Sequence, residues 1–377
     1  MNNEPMKVGI VGAGNISATY VATLHMFDFI RVKSVYDLYQ EPARKLAEQF
    51  GIEAVALDTM LSDPEIGLII NLTTPVSHYA ISKKALLAGK HVYSEKPLGV
   101  SMAESEELMA IARAADLRLG CAPDTFLGGG HQLTRRLLDE GRIGKTISAT
   151  AMLLLPGHEH WHPNPAFFYG RGGGPMLDVG PYYVTNLIAL LGPVREVFGT
   201  AKITRIERTV KTDPRRGETI KVLVPTHLTG VMEFHSGATV TIATSFDVIK
   251  HKHNQIELYG SEGTMVTPDP NNFSGKVEIF RDGDDAWREI PVDHPYTEGV
   301  PGHLGLRGLG AAEMVDSLRS ERQHRVSSEL AFHALEVMTA FERSAQSRSV
   351  VAIHSSCGRP DPIPRAINEG RFSLSAL

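Results

Sequence analysis

Three residues in this chain carry side chains suited to moving a proton and stabilising negative charge on oxygen: Lys96, Asp178 and Tyr182. Lys96 stands in Glu95-Lys96-Pro97, directly after His91-Val92-Tyr93-Ser94, so a strand ends on a carboxylate, an ammonium and a proline. An ammonium placed there can stabilise the alkoxide of an alcohol being oxidised or polarise a carbonyl being reduced. The competing reading is a surface ion pair of Glu95 beside an exposed lysine. Asp178 and Tyr182 follow Gly172-Gly173-Gly174 and open an apolar helical pattern. Pro181 is tolerated only in a first turn, so a helix is expected to begin close to Asp178, with the two residues four apart on one face. A phenol with a pKa of about 10 is a poor base at neutral pH, but a neighbouring ammonium favours the phenolate. Helix capping by Asp178 and simple packing of the Tyr182 ring are the alternatives. Tyr183 points away if the helix is regular.

A second constellation binds rather than reacts. Val8-Gly9-Ile10-Val11-Gly12-Ala13-Gly14-Asn15-Ile16-Ser17 holds a G-x-G-x-x-S pattern between a strand and a helix. Gly12 allows the tight turn, Gly14 allows close approach of a pyrophosphate, and Ser17 is small enough for helix and strand to pack. Asp37 closes the next strand, 23 residues after Gly14. A carboxylate there accepts from both ribose hydroxyls and repels a 2'-phosphate, which favours NAD over NADP. Arg44 and Lys45 fit a solvated helix face better than a 2'-phosphate site.

These residues need a scaffold, and the pattern of the chain supplies one. From Lys7 to Pro123 six apolar runs alternate with helical patterns that end at Gly51 and Gly89, which predicts six parallel strands with helices on both faces. After Pro123 a helix through Gln132–Gly144 leads into runs read as antiparallel strands, with helices near Gly310–Ser320 and Ser327–Ser347. The predicted class is α/β: a dinucleotide-binding domain over residues 1–123, then an α+β domain over residues 124–377 with a mostly antiparallel open sheet and an extended C-terminal tail.

With 377 residues, two domains are expected. A 42% hydrophobic and 21% charged composition is that of an ordinary soluble protein. The net charge of -5, without a long run of one sign, points to neither nucleic acid nor a membrane surface. Cys121 and Cys357 form no C-x-x-C motif, and the N-terminal residues lack the pattern of an export signal, so a reducing cytoplasm is expected. His158, His160 and His162 are spaced two apart, yet no acidic partner at a metal-site spacing accompanies them, so no metal is assigned. They are expected in a loop at the mouth of the site, where Trp161, His162 or Arg171 would bind or stack on a polyol.

The glycine loop, Thr74-Pro75-x-x-His78, Glu95-Lys96-Pro97 and the stretch from Gly172 to Val184 together resemble the Gfo/Idh/MocA oxidoreductase family over nearly the whole chain. The resemblance implies a nicotinamide-dependent oxidoreductase acting on a secondary alcohol of a sugar, sugar derivative or cyclitol, and a homodimer or homotetramer. It implies that Lys96 is the catalytic lysine, that its bond to Pro97 is cis so that Pro97 aims it, and that Asp178 and residue 182 complete the reacting set. The cofactor-contacting set becomes Gly12, Gly14, Asn15, Ile16, Asp37, Thr74, Pro75, His78, Glu95 and Lys96. The family's commonest pattern has histidine at position 182; tyrosine here matches the branches that resemble glucose-fructose oxidoreductase and dihydrodiol dehydrogenase. Two rival readings follow from the same resemblance: a trapped cofactor serving as a redox relay in a sugar oxidoreductase or glycosidase, and a non-catalytic dinucleotide-binding regulator. Retention of Lys96, Asp178 and Tyr182 argues against the regulator.

Overall fold

Apolar runs separated by amphipathic stretches build the first part of the chain in the computed structural model, which describes residues 4–364. Strands β1 (Met6–Val11), β2 (Ile30–Tyr36), β3 (Glu53–Ala54), β4 (Ile66–Asn71), β5 (His91–Ser94) and β6 (Leu119–Cys121) form one sheet in the order β3-β2-β1-β4-β5-β6. Every pairing in it is parallel. Helices α1 (Ser17–Leu24), α2 (Gln40–Phe50), α3 (Leu57–Ser62), α4 (Pro75–Leu87) and α5 (Met102–Ala114) are the crossovers. Helices on both faces bury strands such as Ile66-Gly67-Leu68-Ile69-Ile70-Asn71, which is why they read as unbroken apolar runs. The order reverses between β1 and β4, where ligands of doubly wound sheets bind at the strand C-terminal ends. Gly51 and Gly89 take left-handed backbone, with φ of 66° and 75°, and terminate α2 and α4 as expected.

Helix α6 (Gly129–Asp139) carries the chain from the first compact unit into a second. The second contains β7 (Thr146–Leu154), α7 (Pro175–Asp178), α8 (Gly180–Leu191), β8 (Val194–Lys202), a small hairpin of β9 (Glu207–Thr209) and β10 (Thr219–Lys221), β11 (His227–Phe234), β12 (Thr239–Ser245), β13 (Ile256–Gly260), β14 (Gly263–Val266), β15 (Glu278–Arg281) and β16 (Arg288–Glu289). After α9 (Leu309–Arg319) and α10 (Ser328–Ser347), β17 (Val351–Ala352) completes a nine-stranded sheet. Its order is β16-β15-β14-β13-β7-β12-β11-β8-β17. Among the described strands of this sheet only β7 and β12 pair in parallel, so it is mostly antiparallel.

Helix α8 is buried along its whole length, as a helix apolar on nearly every side must be. Glycines let another helix approach the sheet. Gly199 and Gly230 are cross-strand partners, and a Cβ on either would stand 2.6 or 2.8 Å from the Phe341 ring of α10. The two glycines form the slot that seats this ring.

The compact units do not follow a single cut after residue 123. Residues 293–332 and 360–364 cluster with 4–132, while 133–292 and 333–359 form the second. In the first unit α9 packs on α1 and β6, because its buried face, Leu309 to Ser317, needs an apolar partner that the sheet edge supplies. The final residues of the expected tail, 365–377, lie outside the described residues. Among the described residues no helix is long and apolar enough to cross a membrane.

Candidate active site

The glycine loop leaves β1 at Val11. Gly12 has φ of 106°, and a Cβ there would lie 2.7 Å from the carbonyl carbon of Leu72, so backbone conformation and packing both require glycine. Gly14 is the opposite case: it is exposed, and a Cβ would meet nothing within 4 Å. The amides of Asn15 and Ile16 open α1, where first-turn N–H groups have no helical acceptor. Ser17 is buried, and its hydroxyl donates to the Gly14 carbonyl at 2.7 Å, tying the loop to the helix. Asp37 does more than its position at the end of β2 announces. Its carboxylate accepts the Ala13 N–H at 2.7 Å and the Tyr39 N–H at 2.8 Å, so it fixes the glycine loop directly. A carboxylate accepts about four hydrogen bonds, which leaves capacity for a ligand's hydroxyls. Open space over Gly14, unclaimed helix-end amides and an acid beside the loop fit a dinucleotide.

Two further loops follow β4 and β5. Asn71, buried at the end of β4, accepts from the Thr73 hydroxyl at 2.7 Å and donates to the His78 carbonyl and to Ser82, both at 3.0 Å. It folds Thr73-Thr74-Pro75 over the strand end, with Pro75 in the first turn of α4. His78 is buried, with Nδ1 2.7 Å from the Pro97 carbonyl and Nε2 2.9 Å from the Thr73 carbonyl. Both edges of its ring are therefore committed to main chain, and it braces the loops after β4 and β5 against each other. Burial holds its pKa below the usual histidine range, although both carbonyls work the other way.

Lys96 is half-buried, and its bond to Pro97 is cis. Glu95 makes no surface ion pair: it is buried, accepts from the Tyr20 hydroxyl at 2.7 Å, and takes the Lys96 N–H at 3.1 Å. The segment beyond is held at the start of α5, where the N-cap Ser101 Oγ accepts the Glu104 N–H at 3.3 Å and Glu104 reaches back to accept the Val100 N–H at 2.8 Å. Sequence reasoning missed the polar cluster beneath Lys96. Burial, and then Glu95, raise the Tyr20 phenol well above its usual range; burial, and then Asp124, do the same for Tyr93. Asp124 is pushed up to about 6 by burial, while the Gly310 and Gly308 N–H groups, each 2.9 Å from Oδ2, pull it back. The only sequence signal was a polar residue directly after the sixth apolar run.

In the second unit the helix expected to begin near Asp178 is two helices. Pro175 opens α7 and Pro181 lies in the first turn of α8, with Val179 between them. Asp178 ends α7, and Val179, the residue before α8, brings no side-chain cap. Tyr182 and Tyr183 are both buried; burial, and then Asp269, raise the Tyr183 phenol far above its ordinary value. The histidine segment is a loop, as expected, but its members part company. His158 is buried, His160 exposed and His162 half-buried. Burial is the first cause that lowers the pKa of His162. Trp161 and Arg171 are exposed. Beneath the loop Arg208, 2% exposed at its side chain, pairs with Glu159 at 2.7 Å and with Asp247. Burial raises Glu159, but hydrogen bonds from Tyr169 and Arg208 outweigh it and hold the carboxyl below its usual range.

Comparison with known proteins gives these sites their context. The model described as "Oxidoreductase family, NAD-binding Rossmann fold" matches residues 6–122, and that of the GFO/IDH/MocA C-terminal domain matches residues 131–266. D-xylose dehydrogenase of Paenarthrobacter nicotinovorans is 30% identical over 314 residues, covering 75% of this chain and 76% of its own. Myo-inositol 2-dehydrogenase of Thermotoga maritima is 23% identical over 263 residues, covering 69% of this chain and 74% of its own. The solved levoglucosan dehydrogenase, in complex with NADH and L-sorbose, shares the fold at a TM-score of 0.79 and 20% identity, covering 93% of this chain and 99% of its own. By both of its domains, this chain belongs to the Gfo/Idh/MocA family of oxidoreductases.

Proposed function

We propose that the protein is an NAD-dependent dehydrogenase that transfers a hydride between nicotinamide and a secondary alcohol or ketone of a sugar, sugar derivative or cyclitol. The observation that carries this reading is the convergence of three loops at the C-terminal ends of β1, β4 and β5, which bring Gly12 and Gly14, Thr74 and Pro75, and Lys96 to the switch point of one sheet. The relatives named as D-xylose and myo-inositol dehydrogenases support the substrate class. Gly12, Gly14, Asn15, Ile16, Asp37, Thr74, Pro75, Glu95 and Lys96 hold the cofactor, while His78 acts through the loops it braces. Asp37 selects NAD, since a 2'-phosphate would face a carboxylate already fixed by two amides.

When bound, the nicotinamide supplies hydride transfer. The chain's own residues manage the oxygen. Lys96 offsets negative charge on the substrate oxygen, Tyr182 takes the hydroxyl proton in oxidation and returns it in reduction, and Asp178 orients the reacting group. His162 and Arg171 bind substrate hydroxyls, while the indole N–H of Trp161 is taken up within its own loop. The working form is a homodimer or homotetramer. The test is NADH formation, followed by ultraviolet absorbance, with NAD or NADP against aldoses, uronates, inositols and anhydrosugars. Turnover with NAD on one of these classes is expected. Saturable NAD binding without turnover on any of them would contradict the dehydrogenase reading.

A further inference from the structure

The sequence left the role of His158 open, and the structure gives its ring an orientation. The loop that carries it follows β7, and Gly157, at φ of 97°, turns the chain inward. The His158 N–H donates to the Tyr169 hydroxyl at 3.1 Å, which anchors the main chain. The imidazole lies 4.0 Å from the Phe168 ring, centroid to centroid, and meets Phe246 edge-on at 4.6 Å. With its side chain 9% exposed, the ring has few alternative positions.

Its two nitrogens face different chemistry. The indole N–H of Trp161 donates to Nδ1 at 3.1 Å. An indole only donates, so Nδ1 must present its lone pair, and the proton of the neutral ring is on Nε2. Nε2 lies 3.3 Å from Asp178 Oδ2. It is buried, and that contact is too poorly aligned to count as a hydrogen bond. An N–H buried beside a carboxylate without a well-aligned bond is poised to form one when the carboxylate is drawn into place, as hydrogen bonds in ligand-free sites often are.

We propose that His158 is a positioning residue that holds the Asp178 carboxylate through Nε2–H, in a tautomer fixed by Trp161. The proposal rests on the dehydrogenase reading in which Asp178 serves the reaction, and it assigns Trp161 to the loop rather than to the substrate. Acting through Asp178, His158 affects the rate of the bound complex more than substrate affinity. Glutamine can place an amide N–H near the position of Nε2; phenylalanine keeps the ring and loses the donor.

The test joins kinetics to a readout that needs no substrate. His158→Phe should lower kcat by about 10- to 100-fold, the usual range for groups that orient a ligating side chain, with KM changed less than threefold. His158→Gln should recover most of that loss, and Trp161→Phe should lower kcat several-fold at unchanged KM. In histidine-labelled enzyme, long-range proton–nitrogen spectra should show the His158 signal, identified by its absence from His158→Gln, with Nδ1 unprotonated and Nε2 protonated. In Trp161→Phe that exclusive tautomer should be lost. A proton on Nδ1 would overturn the proposal whatever the enzyme's substrate. So would a Trp161→Phe effect confined to KM, which would make Trp161 a substrate contact. Inactivity of the wild-type enzyme toward all sugars, with the Nε2–H tautomer intact, would instead count against the dehydrogenase reading.

Discussion

Replacing Asp124 by asparagine should change how stability depends on pH, and not only its value. The carboxyl is 2% exposed, and its pKa is about 6 in the folded chain against 3.8 for an ordinary aspartate. Burial is the main cause; Glu95 adds to it, and the Gly310 and Gly308 amides and Arg307 oppose it. The gap of about two units corresponds to about 3 kcal/mol at 1.36 kcal/mol per unit. The sign follows from proton counts. Between pH 3.8 and 6 the folded chain holds the Asp124 proton more tightly than the unfolded chain does, so this group's contribution to stability declines as pH rises through that window. Above pH 6 the loss is complete. Carboxylates with lowered pKa, such as Asp63, Glu65 and Glu107, act in the opposite sense, so the wild-type curve alone does not isolate the effect. The difference between wild type and Asp124→Asn does. Asparagine keeps an oxygen for both amides and cannot ionise, so the variant should gain about 2–3 kcal/mol relative to wild type between pH 4 and pH 7. Urea unfolding at half-unit pH steps measures this. Parallel curves across that range would refute the assignment of a raised pKa to Asp124.

Arg208→Met should strand the Glu159 and Asp247 carboxylates, whose side chains are 6% and 12% exposed. A loss of about 3–5 kcal/mol is expected, or about 6–20 °C in Tm; calorimetry should also show Arg208→Met with Glu159→Gln and Asp247→Asn to be more stable than the single variant, and the reverse order would contradict the buried-pair account. Gly12→Ala should destabilise the fold by about 1–3 kcal/mol and abolish NAD binding, whereas Gly14→Ala should weaken NAD binding with an unfolding midpoint close to wild type, since its Cβ meets only open space. Equal destabilisation by both would mean that Gly14 is structural. Asp37→Ser should raise the NAD Kd by about tenfold or more and narrow the preference for NAD over NADP. An unchanged ratio in titrations of both cofactors would remove Asp37 from cofactor selection.

Local patterns carried the first unit well. Apolar runs bounded by glycines announced six strands, and the G-x-G-x-x-S loop with Asp37 fell where the strand order reverses. One run, Glu53 to Leu57, gave only two strand residues, because it pairs at the sheet edge and turns at once into α3. What stayed hidden depends on contacts between distant residues. Tyr20, Glu95 and Asp124 are isolated polar residues in sequence and one buried cluster in space. The hairpin of β9 and β10 consists of two charged three-residue strands, too short for any period to show, and is held by a small core of Phe168, Tyr169, Val210, Ile220, Val222 and Phe246. The break at Val179 was half visible: Pro181 was used to place a helix start, while Pro175 signalled a second one. His158 was read with its loop neighbours, yet Phe168 and Phe246, far along the chain, decide its burial.

In the proposed mechanism Lys96 stabilises charge on the substrate oxygen in a hydride transfer served by NAD. Single-turnover NADH formation by wild type and Lys96→Ala, on the best sugar or cyclitol and with NAD affinity measured in parallel, tests it most directly. NAD binding within a few-fold of wild type is expected, with a rate reduced by at least about 10²-fold, as for loss of one group that stabilises a developing oxyanion. A Lys96→Ala enzyme that forms NADH at the wild-type rate would contradict it.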